Sequence, residues 1–147
     1  MPFRKRRPNL GVNNRVYDEF HAVDATEEEM HSLTKTGVTP IYRRNYCELC
    51  RCPDLPSGVD WAVFDFAANA GTRRAAETLQ RAVKVTEDDY IGPITLMTVK
   101  KHESTNIIKR MAIYREDFYK SLSNFDHLGK GWLRRTNETR EQALVLL

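Results

Sequence analysis

No stretch of this 147-residue chain is apolar over the roughly 20 positions that a membrane-spanning helix requires, so the sequence excludes one. There is no apolar core behind the basic start either. Arg4, Lys5, Arg6 and Arg7 run into Pro8, Asn9 and polar sequence, which is not a secretory signal, and the expected location is the cytoplasm unless a separate device releases the product. Cysteine is scarce: Cys47, Cys50 and Cys52 fall within six positions, an odd count for an extracellular disulfide framework and natural for a reducing compartment. Their spacing hints at zinc, but a structural site needs four ligands. Neither a second CxxC nor a histidine pair is present, with His21, His31, His102 and His127 scattered, so no metal site is expected. The run Glu87, Asp88, Asp89 lacks the alternating oxygens and sixth-position glycine of a calcium loop and reads as a solvated loop. The GxSxG elbow, HExxH, the phosphate loop and the dinucleotide fingerprint are all missing, and no cofactor is expected. Nor is there any internal repeat, low-complexity segment or linker.

The net charge of +3 is more than accounted for by residues 4–7, which leaves no basic face on the rest of the chain. Residues 1–8 read as a basic disordered tail that neutralises phosphate or an anionic wall without sequence preference, so no specific nucleic-acid partner is expected. The remaining 9–147 read as one helical domain, long enough to bury about two thirds of its unfolded surface.

The stretch around which the chain is organised is Asp54–Thr95. From Val59 to Ala70 the residues are apolar almost all the way round, as in a helix covered on every side. Asp65 and Asn69 interrupt it at i, i+4 and share a face. Their stripe is expected to be buried and hydrogen-bonded, either lining a ligand groove or fixing neighbouring helix ends. Gly71 is placed to end this helix in a left-handed conformation and Thr72 to cap the next. That next helix is one-sided: Ala75, Ala76, Leu79, Ala82 and Val83 fall on one face, Arg73, Arg74, Glu77, Arg81 and Lys84 on the other.

Before it, a short helix is predicted over residues 13–22, with Val16, Tyr17 and Phe20 on one side and Asp18 and Glu19 facing away. A carboxylate on that wet face lacks the burial that raises a pKa for acid catalysis. Thr26 to Glu29 spell a capping box for a helix ending near Gly37, and Thr39-Pro40 the cap and first residue of the next, with Tyr42, Tyr46, Leu49 and Cys50 on one stripe. Beyond Gly92 and Pro93 another helix starts. An amphipathic one over 105–122 carries Ile107, Met111, Tyr114, Phe118 and Leu122. The stretch 123–131 reads as a loop, and a last helix begins near Trp132 and ends in LVLL. The fold class is therefore all-α, a single domain of about seven helices around 59–70.

DWAVFDFAANAG, followed by RAAETLQRAV and IGPITL, resembles the second half of the phage-type N-acetylmuramidases of glycoside hydrolase family 108 with their companion peptidoglycan-binding domain. The similarity extends upstream through PIYRRNY, TEEEMHSL and NLGVNNRVYDEF and downstream to GKGWLRR. It implies a lysozyme-like fold, an endolysin-type hydrolase of phage or prophage origin, peptidoglycan as partner and release to the wall through a holin or lysis. In that family the general acid is a glutamate in a Glu-Gly-Gly helix preceding the segment that matches Asn9–Val12, and this sequence supplies no counterpart, so no catalytic residue is carried over. A tryptophan of the family is replaced by Cys47, and a glycine by Asp89. Three readings follow: a muramidase using an acid with a second carboxylate or activated water; a non-catalytic wall binder or pseudoenzyme; and a nucleic-acid-associated phage protein. Little or no lysis is expected of this chain, with Asp65 the one acid on a buried helix, and a homodimer would cover apolar surface left by the absent first helix. Glycan contacts are expected from Tyr46, Asp65, Asn69 and Tyr90, with Trp132 as core.

Overall fold

A computed structural model describes residues 18, 19, 21 and 26–147. The tail at 1–8, the segment at 9–12 and most of the expected 13–22 helix lie outside them; Asp18, Glu19 and His21 are helical, with Glu19 exposed. The chain divides into two compact units, residues 1–45 and 46–147. Seven α-helices and no strand occur among the described residues, an all-α chain as the sequence indicates.

In the first unit, α1 (Glu27–His31) begins with the predicted capping box: Glu29 N–H donates to Thr26 Oγ1 at 3.2 Å, and Thr26 N–H to Glu29 Oε2 at 2.6 Å. This helix stops at His31, not near Gly37. Ser32 Oγ donates to Glu29 O at 2.9 Å, and Thr34 Oγ1 accepts from Gly37 N–H at 3.0 Å, so two side chains that compete with the helical backbone end one helix and start another. The second, α2 (Lys35–Tyr42), therefore starts ahead of the expected Thr39-Pro40 boundary and carries Pro40 in its interior. Val38 and Ile41 form its small buried core, with Leu33 and Tyr42 against them.

A π-helical turn, Arg43–Glu48, follows directly. Its wider winding breaks the 3.6-residue register, so the expected stripe divides: Cys50 is buried, Tyr46 half-buried and Leu49 exposed. A 3-10 turn, Cys52–Asp54, leads to the central helix.

In the second unit, α3 (Val59–Ala70) has the predicted bounds. Val59, Val63, Phe66 and Ala67 are fully enclosed among α4 (Thr72–Val83), α6 (Ser104–Lys120) and α7 (Phe125–Val145). Each large apolar side chain so covered contributes about 1.5–3 kcal/mol. The helix enters at Gly58, whose φ of +88° and whose Cα lying where a Cβ would come within 2.5 Å of the Ala143 carbonyl both demand glycine. Gly71, at φ +97°, joins α3 to α4, and Thr72 is the first residue of α4 rather than its side-chain cap. The predicted inner face of α4 is buried, joined by an unpredicted Gln80.

Helix α5 (Pro93–Lys101) starts at the Gly92-Pro93 signal. On α6 the deepest residues are Ile107, Ile108, Met111, Arg115 and Tyr119, while Tyr114 and Phe118, with Leu122 just beyond the helix, lie at the edge of the core. The stretch read as a loop belongs to α7: a Cβ on Gly129 would come within 2.5–2.7 Å of the Phe125 ring, so this glycine lets the aromatic lie flat on its own helix. Of the terminal LVLL, Leu144 packs against the core while Val145 to Leu147 are exposed.

Candidate functional site

Asp65 is the only buried carboxylate among the described residues. Period 3.6 turns it toward α6 and α7, and its two oxygens are engaged from both. Arg115 Nη1 donates to Oδ2 at 2.8 Å, Thr139 Oγ1 to Oδ2 at 2.8 Å and Arg135 Nη2 to Oδ1 at 2.6 Å, with Arg135 Nε at 3.4 Å from Oδ2. Burial alone would raise the Asp65 pKa. The hydrogen bonds from Arg135 and Arg115, the Arg115 charge and the Thr139 hydroxyl outweigh it and hold the carboxyl below its ordinary range. The same bond raises Arg135. Arg115 Nε in turn donates to Tyr119 Oη at 3.3 Å, and the Tyr119 ring stacks on Trp132 with centroids 5.2 Å apart. Asp65 thus ties α3 to two later helices, a role its i, i+4 pairing with Asn69 only half discloses. Asn69 itself is exposed, not buried as expected; its Nδ2 donates to the Asp65 carbonyl at 2.8 Å, and its Oδ1 has no hydrogen bond among the described residues.

The acidic run at 87–89 is held, not merely solvated. Gln80, fully buried on α4, donates through Nε2 to Asp88 Oδ1 at 2.8 Å and to Tyr90 O at 3.0 Å, and accepts at Oε1 from Asp89 N–H at 3.0 Å. Gln80 and the backbone of Tyr90 hold the Asp88 carboxyl below its usual range. Asp89, which stands where the family has a glycine, adopts a left-handed conformation at φ +62°. The latch leaves Tyr90 two-thirds exposed beside a cavity of about 160 Å³ that Thr86 and Asp88 also line. Tyr46, the remaining expected contact, is half-buried against the core.

Cys50 and Cys52 are buried free thiols and Cys47 is half-buried. Burial first, then the neighbouring Cys47, pushes the Cys50 thiol up to about 11; burial and a hydrogen bond with Cys47 push Cys52 up as well. Among the described residues no group of three His, Cys, Asp or Glu side chains could hold a metal ion. No described helix is long and apolar enough to cross a membrane.

No curated protein matches this chain. Residues 7–71 match the family described as Glycosyl hydrolase 108, a span that ends at Gly71, just after the helix bearing Asp65. The solved structure of Brucella abortus SagA is similar over 99% of this chain and 84% of its own, at 35% identity and a TM-score of 0.85. The expected lysozyme-like all-α fold is the one found, and the chain belongs to the glycosyl hydrolase 108 family of muramidase-type peptidoglycan hydrolases.

Proposed function

We propose that the residues described here engage the glycan of peptidoglycan and that the chain as given cleaves it slowly or not at all. The state of Asp65 carries this reading. A glycosidase acid must hold a proton at working pH to deliver it to the leaving oxygen, which calls for a raised pKa. Asp65 is the buried acid available, yet both of its oxygens accept from cationic donors and its pKa is lowered. It is suited to fastening α3 in place and unsuited to protonating a sugar. The other carboxylates whose burial the structure describes are exposed or half-buried.

We assign glycan contacts to Tyr46, Asn69 and Tyr90. The face of an aromatic ring suits the C–H face of a pyranose, and a planar amide suits an N-acetyl group. Tyr90 is the most accessible of the three and sits on a loop already ordered by Gln80, so little conformational entropy is lost on binding. Co-sedimentation with purified sacculi tests the assignment. The parent chain should pellet and Tyr90→Ala should pellet less at unchanged melting temperature; a parent that stays in the supernatant would remove the wall-binding reading.

A further inference from the structure

The outer faces of α4 and α6 enclose a groove of about 270 Å³ in which polar and apolar surface are balanced. Three of its charges are already satisfied: Glu77 accepts from Arg73 Nε at 2.9 Å, and Arg81 Nε donates to Glu87, which also lines the groove, at 2.7 Å. Two are not. The Arg74 guanidinium lies over the Phe118 ring, its Cζ 3.8 Å from the centroid, and the Asp117 carboxylate stands one position earlier on α6. Neither has a side-chain hydrogen bond or ion pair among the described residues, nor does the Tyr114 hydroxyl, which lines the same groove under Arg81.

We propose that this groove is a second ligand site, for a short peptide bearing both a free carboxylate and a free ammonium group. Its seat over the Phe118 ring restrains the Arg74 guanidinium before any ligand arrives, so it meets a carboxylate with less ordering than a free arginine requires. Asp117 complements the ammonium, and the Tyr114 and Phe118 rings supply apolar walls for the methylenes between. The volume lies just below the usual range for small-molecule sites, roughly 300–1,000 Å³, which suits a ligand of about dipeptide size and not a glycan strand. Given the wall-binding reading, on which the identity of the ligand rests, the ligand is the peptide stem, whose free carboxylates and diamino-acid ammonium carry this charge pattern. The fold then holds the wall polymer by two chemically different handles.

The probe is a synthetic, sugar-free stem tetrapeptide with a diamino acid at its third position, titrated calorimetrically into the full chain. Binding is expected, with a loss on the order of tenfold for Arg74→Ala and for Asp117→Asn, each the removal of one charged contact. No binding is expected for the same peptide with its amine acetylated and its carboxylates amidated. Both substitutions are on exposed side chains and should leave the melting temperature unchanged. A parent chain that pellets with sacculi but ignores the tetrapeptide, or variants that bind it as the parent does, would overturn the peptide site and leave wall binding standing. Tetrapeptide binding without sacculus pelleting would do the reverse.

Discussion

Arg115 donates through Nη1 to Asp65 Oδ2 at 2.8 Å across 50 positions of sequence, with 4% and 3% of the two side chains exposed. An ion pair this deep is expensive to form and more expensive to break, because removing one partner leaves the other charge buried alone. Asp65→Asn should therefore lower stability by about 3–5 kcal/mol in chemical denaturation. Arg135→Ala, which takes away a donor whose side chain is 55% exposed, should cost much less.

The pH dependence follows from the sign of the Asp65 shift. Its folded-state pKa lies below the ordinary value near 3.8, so the ionised form is the one favoured by folding. The contribution is fully present at neutral pH. It fades from about pH 5 as the unfolded carboxyl begins to protonate, and is gone once pH falls through the folded value. Denaturation midpoints between pH 7 and pH 3 should fall more steeply for the parent than for Asp65→Asn; parallel curves would show that Asp65 is not the linked group.

Gln80→Leu keeps the shape of α4 but strips the latch, leaving the Asp89 N–H and the Tyr90 carbonyl without their partner. We expect about 1–3 kcal/mol of destabilisation and faster amide exchange at Asp89, with weaker sacculus binding because Tyr90 is no longer held. Unchanged exchange at Asp89 would contradict the latch.

Native alkylation at pH 8 should spare Cys50 and Cys52. Both are buried, and Cys50 titrates near 11, so almost none of its reactive thiolate exists at that pH. Mass spectrometry should find them modified only after unfolding.

The parts of this fold that the sequence disclosed are those governed by local rules. The bounds of α3 follow from an apolar run broken by only a few polar residues and ended by glycine, the inner face of α4 from its period, and the start of α1 from Thr26 and Glu29. Misplaced elements trace to competing local effects: Thr34 captures a helix start ahead of Pro40, and Phe125 packs over Gly129 to extend α7 through a segment that looks like loop. The partners of Asp65 were hidden because they lie 50 to 74 positions away and are long, charged or small polar residues that a hydrophobic pattern discounts. One signal was available. Met111, Arg115 and Tyr119 recur at i, i+4, which places the arginine on the inner face of α6, where a charge requires a buried counterpart.

The claim at the centre of this account, that Asp65 fastens helices instead of donating a proton, is tested most directly by following the turbidity of purified peptidoglycan with the parent chain and with Asp65→Asn, each at a temperature where circular dichroism shows it folded. No clearing by either is expected. Clearing by the parent that disappears in a folded Asp65→Asn would contradict it and make Asp65 the acid of an active enzyme.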